Sequence, residues 1–345
     1  KDDLPNEPDK AMQTKDTTQL NEVYSIFAAS DSSFLIAGES DSKFTLLKTD
    51  HDLNIIWKKT DFEWGNIEYG CGYSSCNYPN YVEIFQNADG NYTCLSSMRF
   101  GGDVVLFYTE LIQLNPGGEI LLEKRISKSS YHDVIRTNDD GFMGLNRWDG
   151  LKKYDKNFAL SWEKEINVQN RELLFDFASV VQTKEGGYVI TGGKINDIFL
   201  RKLDYSGEDV WEKIIYSSKL DNIASDVVQL NDSGFLVAGR SWHYIDDSDG
   251  LVIRTDELGD SLWTRKVGRE NAEWLQNIIR VADGTAIIVG VEREGENYHK
   301  SSILLKIDLT SGGIEQIEYT DKIECIADSH AGYFIKKKKN DDGLI

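Results

Sequence analysis

The stretch QTKEGGYVITGG, Gln182 to Gly193, returns as QLNDSGFLVAGR, Gln229 to Arg240. The same small turn, followed by an apolar run, leads into Phe34, Tyr92, Phe142, Tyr188, Phe235, Ala286 and Tyr333, a mean spacing of about 50 residues. A unit of this size cannot bury its apolar face alone, so a chain that repeats it must stack each copy on its neighbours.

Within a unit the order is constant. An apolar run such as SVVQT meets a turn such as KEGG or NDSG and then a second apolar run, YVITG or FLVAG. That is a hairpin, because Gly and Asp accept the positive φ of a tight turn. A second hairpin follows, as in IFLRKLDYSGEDVWEKII (Ile198 to Ile215) and GLVIRTDELGDSLWTRKV (Gly250 to Val267). Four strands in about 50 residues predict an all-β chain, a β-propeller of four-stranded blades. The seventh unit, from Glu324 to Ile345, stops in its third strand, and AMQTKD (Ala11 to Asp16) falls at the spacing of the missing outer strand. Seven blades are therefore preferred to six, with the ring closed by an N-terminal strand that removes an exposed edge. The expected organisation is a flexible tail over 1–9 and a single propeller domain over 10–345.

Late in each unit stands Trp57, Trp162, Trp211 or Trp263, replaced by Leu122 and Ile317 in units two and six. At the turn before it stands Asp50, Asn115, Asp155, Asp204, Asp256 or Asp308. Both series read as scaffold: the indole fills the gap between blades, and the Asx side chain caps its own turn.

The pattern D-G-G-Y-x-x-x-G followed by K-x-D-x-x-G-x-x-x-W resembles a family of extracellular bacterial β-propeller repeats found in surface lipoproteins and secreted proteins. The likeness covers about Asn21 to Ile345 and is closest in units four and five. It is loosely similar to the quinoprotein alcohol dehydrogenase-like repeat as well. Those enzymes carry an adjacent Cys-Cys pair where this chain has CGYSSC, Cys71 to Cys76. The resemblance implies an exported chain at the cell surface, with a lipid anchor to an outer membrane as one form of it, and it transfers no catalytic residue.

Formal charge is −20, from 38 basic against 58 acidic residues, which sets the surface field against nucleic acid and anionic membrane faces. Neutral glycans, basic peptides and cations remain open as ligands. The polar start KDDLPNEPDKAMQTKD has no signal-peptide core, and the chain begins at Lys1 without Met, as a trimmed or processed chain would. Cys71 and Cys76 are close enough in sequence for a small disulfide loop in an oxidising compartment. Cys94 and Cys325 fall in predicted strands, where a buried thiol is the ordinary explanation.

In a propeller the first-to-second and third-to-fourth turns share one face, and these are short throughout. All the long segments fall on the other face: Asp61 to Asn80, Met98 to Asp103, Arg240 to Gly250 and Val291 to Ser302. Repeat scaffolds bind on the face that accepts insertions. The candidate ligand contacts there are Trp64, Tyr69, Tyr73, Tyr78, Trp242, His243, Tyr244, Tyr298 and His299, flat or polar-tipped side chains suited to sugar rings or a peptide. A second candidate is the column of first-strand residues Ser25, Glu83, Asp133, Ser179, Asp226, Asn277 and Glu324. Its four carboxylates, Glu83, Asp133, Asp226 and Glu324, would line the channel, and calcium is the cation such a ring would suit. No other cofactor is indicated.

The leading expectation is a non-catalytic, exported propeller that binds a glycan, peptide or partner protein through the long-loop face, as a monomer. The alternatives are an extracellular glycan hydrolase or lyase using channel-mouth acids such as Glu83 or Asp226, and a structural module of a surface assembly.

Overall fold

A computed structural model describes residues 20, 22–41, 43–60, 62, 78–100, 106–128, 130–146, 150–165, 175–194, 196–244, 247–268, 272–280, 284–294 and 299–320. The seventh unit and the N-terminal strand expected to close the ring lie outside them. The described residues form six four-stranded antiparallel sheets, each a simple meander, and the architecture is that of a β-propeller.

Blade one comprises β1 (Glu22–Ala28), β2 (Phe34–Ser40), β3 (Lys43–Thr49) and β4 (Ile55–Lys59). Blade two comprises β5 (Tyr78–Gln86), β6 (Tyr92–Phe100), β7 (Leu106–Leu114) and β8 (Ile120–Ser127). Blade three follows with β9 (Asp133–Arg136), β10 (Phe142–Asn146), β11 (Gly150–Tyr154) and β12 (Leu160–Lys164). Blade four has β13 (Phe175–Gln182), β14 (Tyr188–Lys194), β15 (Asp197–Leu203) and β16 (Asp209–Ser217). Blade five has β17 (Asp221–Gln229), β18 (Phe235–Tyr244), β19 (Asp247–Thr255) and β20 (Ser261–Val267). Blade six has β21 (Ala272–Arg280), β22 (Thr285–Glu294), β23 (His299–Asp308) and β24 (Ile314–Thr320). The repeated aromatics Phe34, Tyr92, Phe142, Tyr188 and Phe235 each open the second strand of their blade.

The first strands pack side by side in chain order, β1 on β5, β5 on β9, β9 on β13, β13 on β17 and β17 on β21. They are the inner strands. The core lies between sheets: Leu46, Cys94 and Phe142 of blades one to three belong to one cluster, and Val252, Leu275 and Leu305 of blades five and six to another. Burial of apolar surface between neighbours, rather than within a blade, is what holds the stack.

The turn motif has a defined mechanical role. Asp50, Asp155, Asp204 and Asp256 each accept two backbone N–H bonds within their own turn, as from Leu258 (2.9 Å) and Asp260 (2.8 Å) to Asp256. The turn glycine takes positive φ, 82° at Gly259, and its bare Cα accepts the indole of the preceding blade. A Cβ there would stand 2.8 Å from Trp211. Gly118, Gly207 and Gly312 meet Trp57, Trp162 and Trp263 in the same way. One junction departs from this. Blade two presents Leu122 instead of Trp, and the turn of blade three holds Phe158 at a φ of 62° instead of Gly. Both pack in the cluster of blades one to three, so the aromatic ring has moved to the other side of the interface. The scaffold reading of the Trp and Asp series is thus what the structure shows.

The lysine of K-x-D is also accounted for. Lys48, Lys153 and Arg254 are buried, and each pairs with the acid of the first turn of its own blade: Lys48 with Asp31 at 2.8 Å, Lys153 with Asp139 at 2.8 Å, Arg254 with Asp232. The Lys48 ammonium, then the Ser33 hydroxyl, draws the Asp31 carboxyl from 3.8 down to about 2. On the rim a base two residues after the Trp reaches the next blade, Lys164 to Asp209 (3.2 Å) and Lys213 to Asp260 (2.5 Å), and Arg265 donates to the carbonyls of Ser311 and Gly312.

Gly259→Ala, strained at its φ and pressed on Trp211, is expected to destabilise the chain by about 2 kcal/mol in urea unfolding, whereas Ala at a turn position with no indole above it, such as Gly186, costs only the φ strain. Carboxyl titration by NMR is expected to place the Asp31 midpoint near 2 and to return it toward 3.8 in Lys48→Met. Because the folded-state value is depressed, the contribution of this pair is complete above pH 3.8 and fades as pH falls through about 2.

Candidate functional site

Four residues of the inner column follow bulges. In β1, β13, β17 and β21 the pairing register shifts at Val23/Ser25, Phe177/Ser179, Ala224/Asp226 and Leu275/Asn277, so the column residue is the first after each irregularity. A bulge inserts a residue and re-aims the next side chain. Asp133 of β9, whose pairing is regular, accepts the backbone N–H of Val180 in the next blade at 2.8 Å. Asp226 of β17 likewise accepts Ile278 N–H of the following blade at 2.9 Å and its own Val227 N–H at 2.8 Å. Between the two acids lies Ser179, whose hydroxyl oxygen is 3.0 Å from Asp133 and 2.9 Å from Asp226. All three are buried. Asp133 and Asp226 thus each accept a backbone N–H of the next blade and, through Ser179 between them, link blades three to six. Glu83 of β5 is half-buried, and its charge adds to burial in pushing the Cys94 thiol upward. Glu324 lies outside the described residues. Among the described residues no three His, Cys, Asp or Glu side chains group as a metal cluster would require.

The long-loop face differs from its expected form. The segment from Arg240 to Gly250 is almost wholly strand: β18 runs to Tyr244 and β19 starts at Asp247, with Trp242 registered between Asp221 and Ser248. Likewise Met98 to Phe100 continues β6, and β22 and β23 extend to Glu294 and from His299. The polar residues that read as loop pair as regular ladders here, and Ser241, Ser248 and Glu292 are buried in them. His243 and Tyr244 lie in β18, His299 opens β23 opposite Glu294, and Tyr78 opens β5 opposite Arg99. Trp64, Tyr69, Tyr73 and Tyr298 lie outside the described residues.

One grouping on this face is well defined. The Arg240 guanidinium carbon lies 3.8 Å from the ring centroid of Trp274 in β21 and 5.3 Å from that of Trp242 in its own strand. The stack crosses from blade five to blade six, and all three side chains are half-exposed. Cation-on-indole contacts of this kind restrict the rotamers of a planar donor. In β21 and β22 the neighbouring Glu273 and Glu292 are a buried cross-strand pair of residues. Trp242 was legible in the sequence as a candidate. Arg240 and Trp274 were not singled out, because the partner lies in an inner strand that reads as core.

No family model matches the chain, and no curated protein matches it in sequence. Solved structures do share its shape. A protein from Lactobacillus plantarum superposes with a TM-score of 0.58 at 13% identity, over 86% of this chain and 84% of that one. A polysaccharide lyase, an ulvan lyase, gives 0.57 at 8% identity over 88% and 86%. The C-terminal WD40 domain of Sif2 gives 0.55 at 12% identity over 88% and 74%. At these identities the likeness establishes the propeller fold.

The inner stitches carry a direct test. Asp226→Ala leaves the Val227 and Ile278 N–H groups without their acceptor, and a loss of about 2–3 kcal/mol in equilibrium unfolding is expected. Asp226→Asn keeps an acceptor oxygen and is expected to cost less than half as much.

Proposed function

We propose that this chain is a binding propeller that takes a glycan, peptide or partner protein on the long-loop face, with the junction of blades five and six as its contact point. The observation that carries the reading is the Arg240–Trp242–Trp274 cluster, a half-buried cation over the rings of two indoles on the face opposite the short turns. Trp and Arg dominate binding energies where they are held rigid, since little entropy remains to be lost on contact. The repeat pattern supports export to the cell surface, with or without a lipid anchor, as the setting. In this reading Asp133 and Asp226 serve the scaffold: their carboxylates hold neighbouring backbones, whereas a glycosidic acid pair must face a substrate across a gap.

The experiment is a glycan array and a peptide display panel read against the purified chain. The first ligand recovered is expected to lose at least about tenfold in affinity with Trp242→Ala. Circular dichroism of that variant should match that of the parent chain, which separates loss of a contact from loss of the fold. A ligand indifferent to Trp242→Ala and to Arg240→Ala would remove the site.

A further inference from the structure

We propose that a hairpin of the seventh unit, Ile323 to Ile335, docks between blades six and one, with Glu324 as its tie to blade one. The inference is independent of the long-loop face. Both seats for such a hairpin stand open among the described residues. Ile26 of β1 lies one residue after the column position, as Ile84, Val134, Val180, Val227 and Ile278 do in the other five blades. Those five are 0–7% exposed, and Ile26 is 43% exposed. Val23 is 38% exposed where Ala224 and Leu275, at the same register, are 1% and 0%. Val180, Val227 and Ile278 are buried against the blade before their own, so what blade one lacks is a predecessor. Blade six lacks a successor. Its Ile287, Val289 and Leu304 are half-buried, whereas Leu236, Ala238 and Val252 at the same positions of blade five are wholly buried on the blade after them. Two apolar faces left open at the two ends of one stack call for a cover.

The repeat selects the occupant. Residues 321–345 follow β24 directly, and in them Glu324 falls in the column of Asp133 and Asp226, and Cys325 at the position of Val227. Tyr333, Phe334 and Ile335 fall at those of Phe235, Leu236 and Val237. The match ends where Lys336 to Lys339 replace Ala238 to Ser241, so the docking element is the hairpin alone. Its polar tie follows from those already formed. Asp133 accepts the N–H of Val180 and Asp226 that of Ile278, each from the blade after its own, and Ser179 stands between the two acids. Two blades further on, the same rule sets Glu324 on the Ile26 N–H, with Ser25 between Glu324 and Glu83. Ser25 is half-buried, whereas Ser179 is 4% exposed, the difference a neighbouring blade makes. The rim agrees. Leu53 holds a φ of 64° at the turn position where Gly207, Gly259 and Gly312 admit the indole of the blade before. A Trp-bearing blade from a second copy would strike it, and residues 321–345 contain no Trp.

The test reads each seat separately. In the chain with Cys71→Ser and Cys76→Ser, Cys94 is buried, so Cys325 is the thiol that an aromatic disulfide reagent meets first. It is expected to react at least about tenfold more slowly than in the same chain unfolded in urea. Leu304→Asp, which sets a charge in the seat on blade six, is expected to release it while circular dichroism keeps its strand signal. Hydrogen exchange reads the seat on blade one. The Ile26 amide is expected to be protected, to exchange at least about tenfold faster in Glu324→Ala, and to keep most of its protection in Glu324→Gln, which retains an acceptor oxygen. Reaction of Cys325 at its unfolded rate would overturn the proposal, as would an Ile26 amide indifferent to Glu324→Ala. Protection of Cys325 that is lost on dilution would overturn it as well, and would assign the open faces to a second copy of the chain.

Discussion

Everything in this fold depends on one strand holding the next across a blade boundary. A four-stranded sheet of this size has two apolar faces and no means of covering them, so its stability lies in its junctions. Three layers of contact recur there. Near the axis a carboxylate takes a backbone N–H of the following inner strand, as Asp133 does from Val180 and Asp226 from Ile278. At the rim an indole covers a glycine turn. At the short-turn face a glutamine bridges the two blades. Gln86, Gln182 and Gln229 accept N–H bonds from Ser30, Asn138 and Lys184 of the preceding blade, at 2.7–3.0 Å, and give their own to the turn that follows them. Shape comes from apolar burial, and angle and register from these polar ties.

This arrangement explains why the repeat is written as it is. The Gln that opens QTKEGG and QLNDSG is the bridging residue, the acid after it in the second receives the buried base of the third strand, and the Gly-to-Trp spacing reaches from one turn to the next blade. Repeating the whole phrase along the chain is therefore a requirement of packing. Function has to be sought where the phrase breaks. One such break is visible: the elongated hairpin arms of blades five and six, where Arg240 lies over the rings of Trp242 and Trp274.

The fold was legible because period, turn chemistry and strand alternation are local signals that agreed from unit to unit. Repeat spacing places Ser25, Asp133, Ser179 and Asp226 in one column but does not carry their role. The bulge before Ser25, Ser179 and Asp226 re-aims the side chain, and the carboxylates of Asp133 and Asp226 meet the next backbone instead of the channel. A bulge is a mismatch between two strands and leaves no mark in one. Arg240 and Trp274 escaped for a related reason: they are separated by a whole hairpin in sequence and meet only because β18 and β21 face each other. The segment around Trp242 read as loop because its polar residues lack alternation, and it is strand because the hairpin extends past the core.

The junction between blades two and three has a meaning for how such a chain can be cut and rejoined. At the other junctions among the described residues the large ring belongs to the earlier blade and the empty space to the later one; here Leu122 is small and Phe158 supplies the ring. A blade is consequently not an interchangeable part. Transplanting blade three to follow blade four would set Phe158 against Trp211, two rings in one hole, and moving blade four behind blade two would set Leu122 against Gly207 with none. The module that can be exchanged without a clash or a void runs from the middle of one blade to the middle of the next, and each blade names its neighbour.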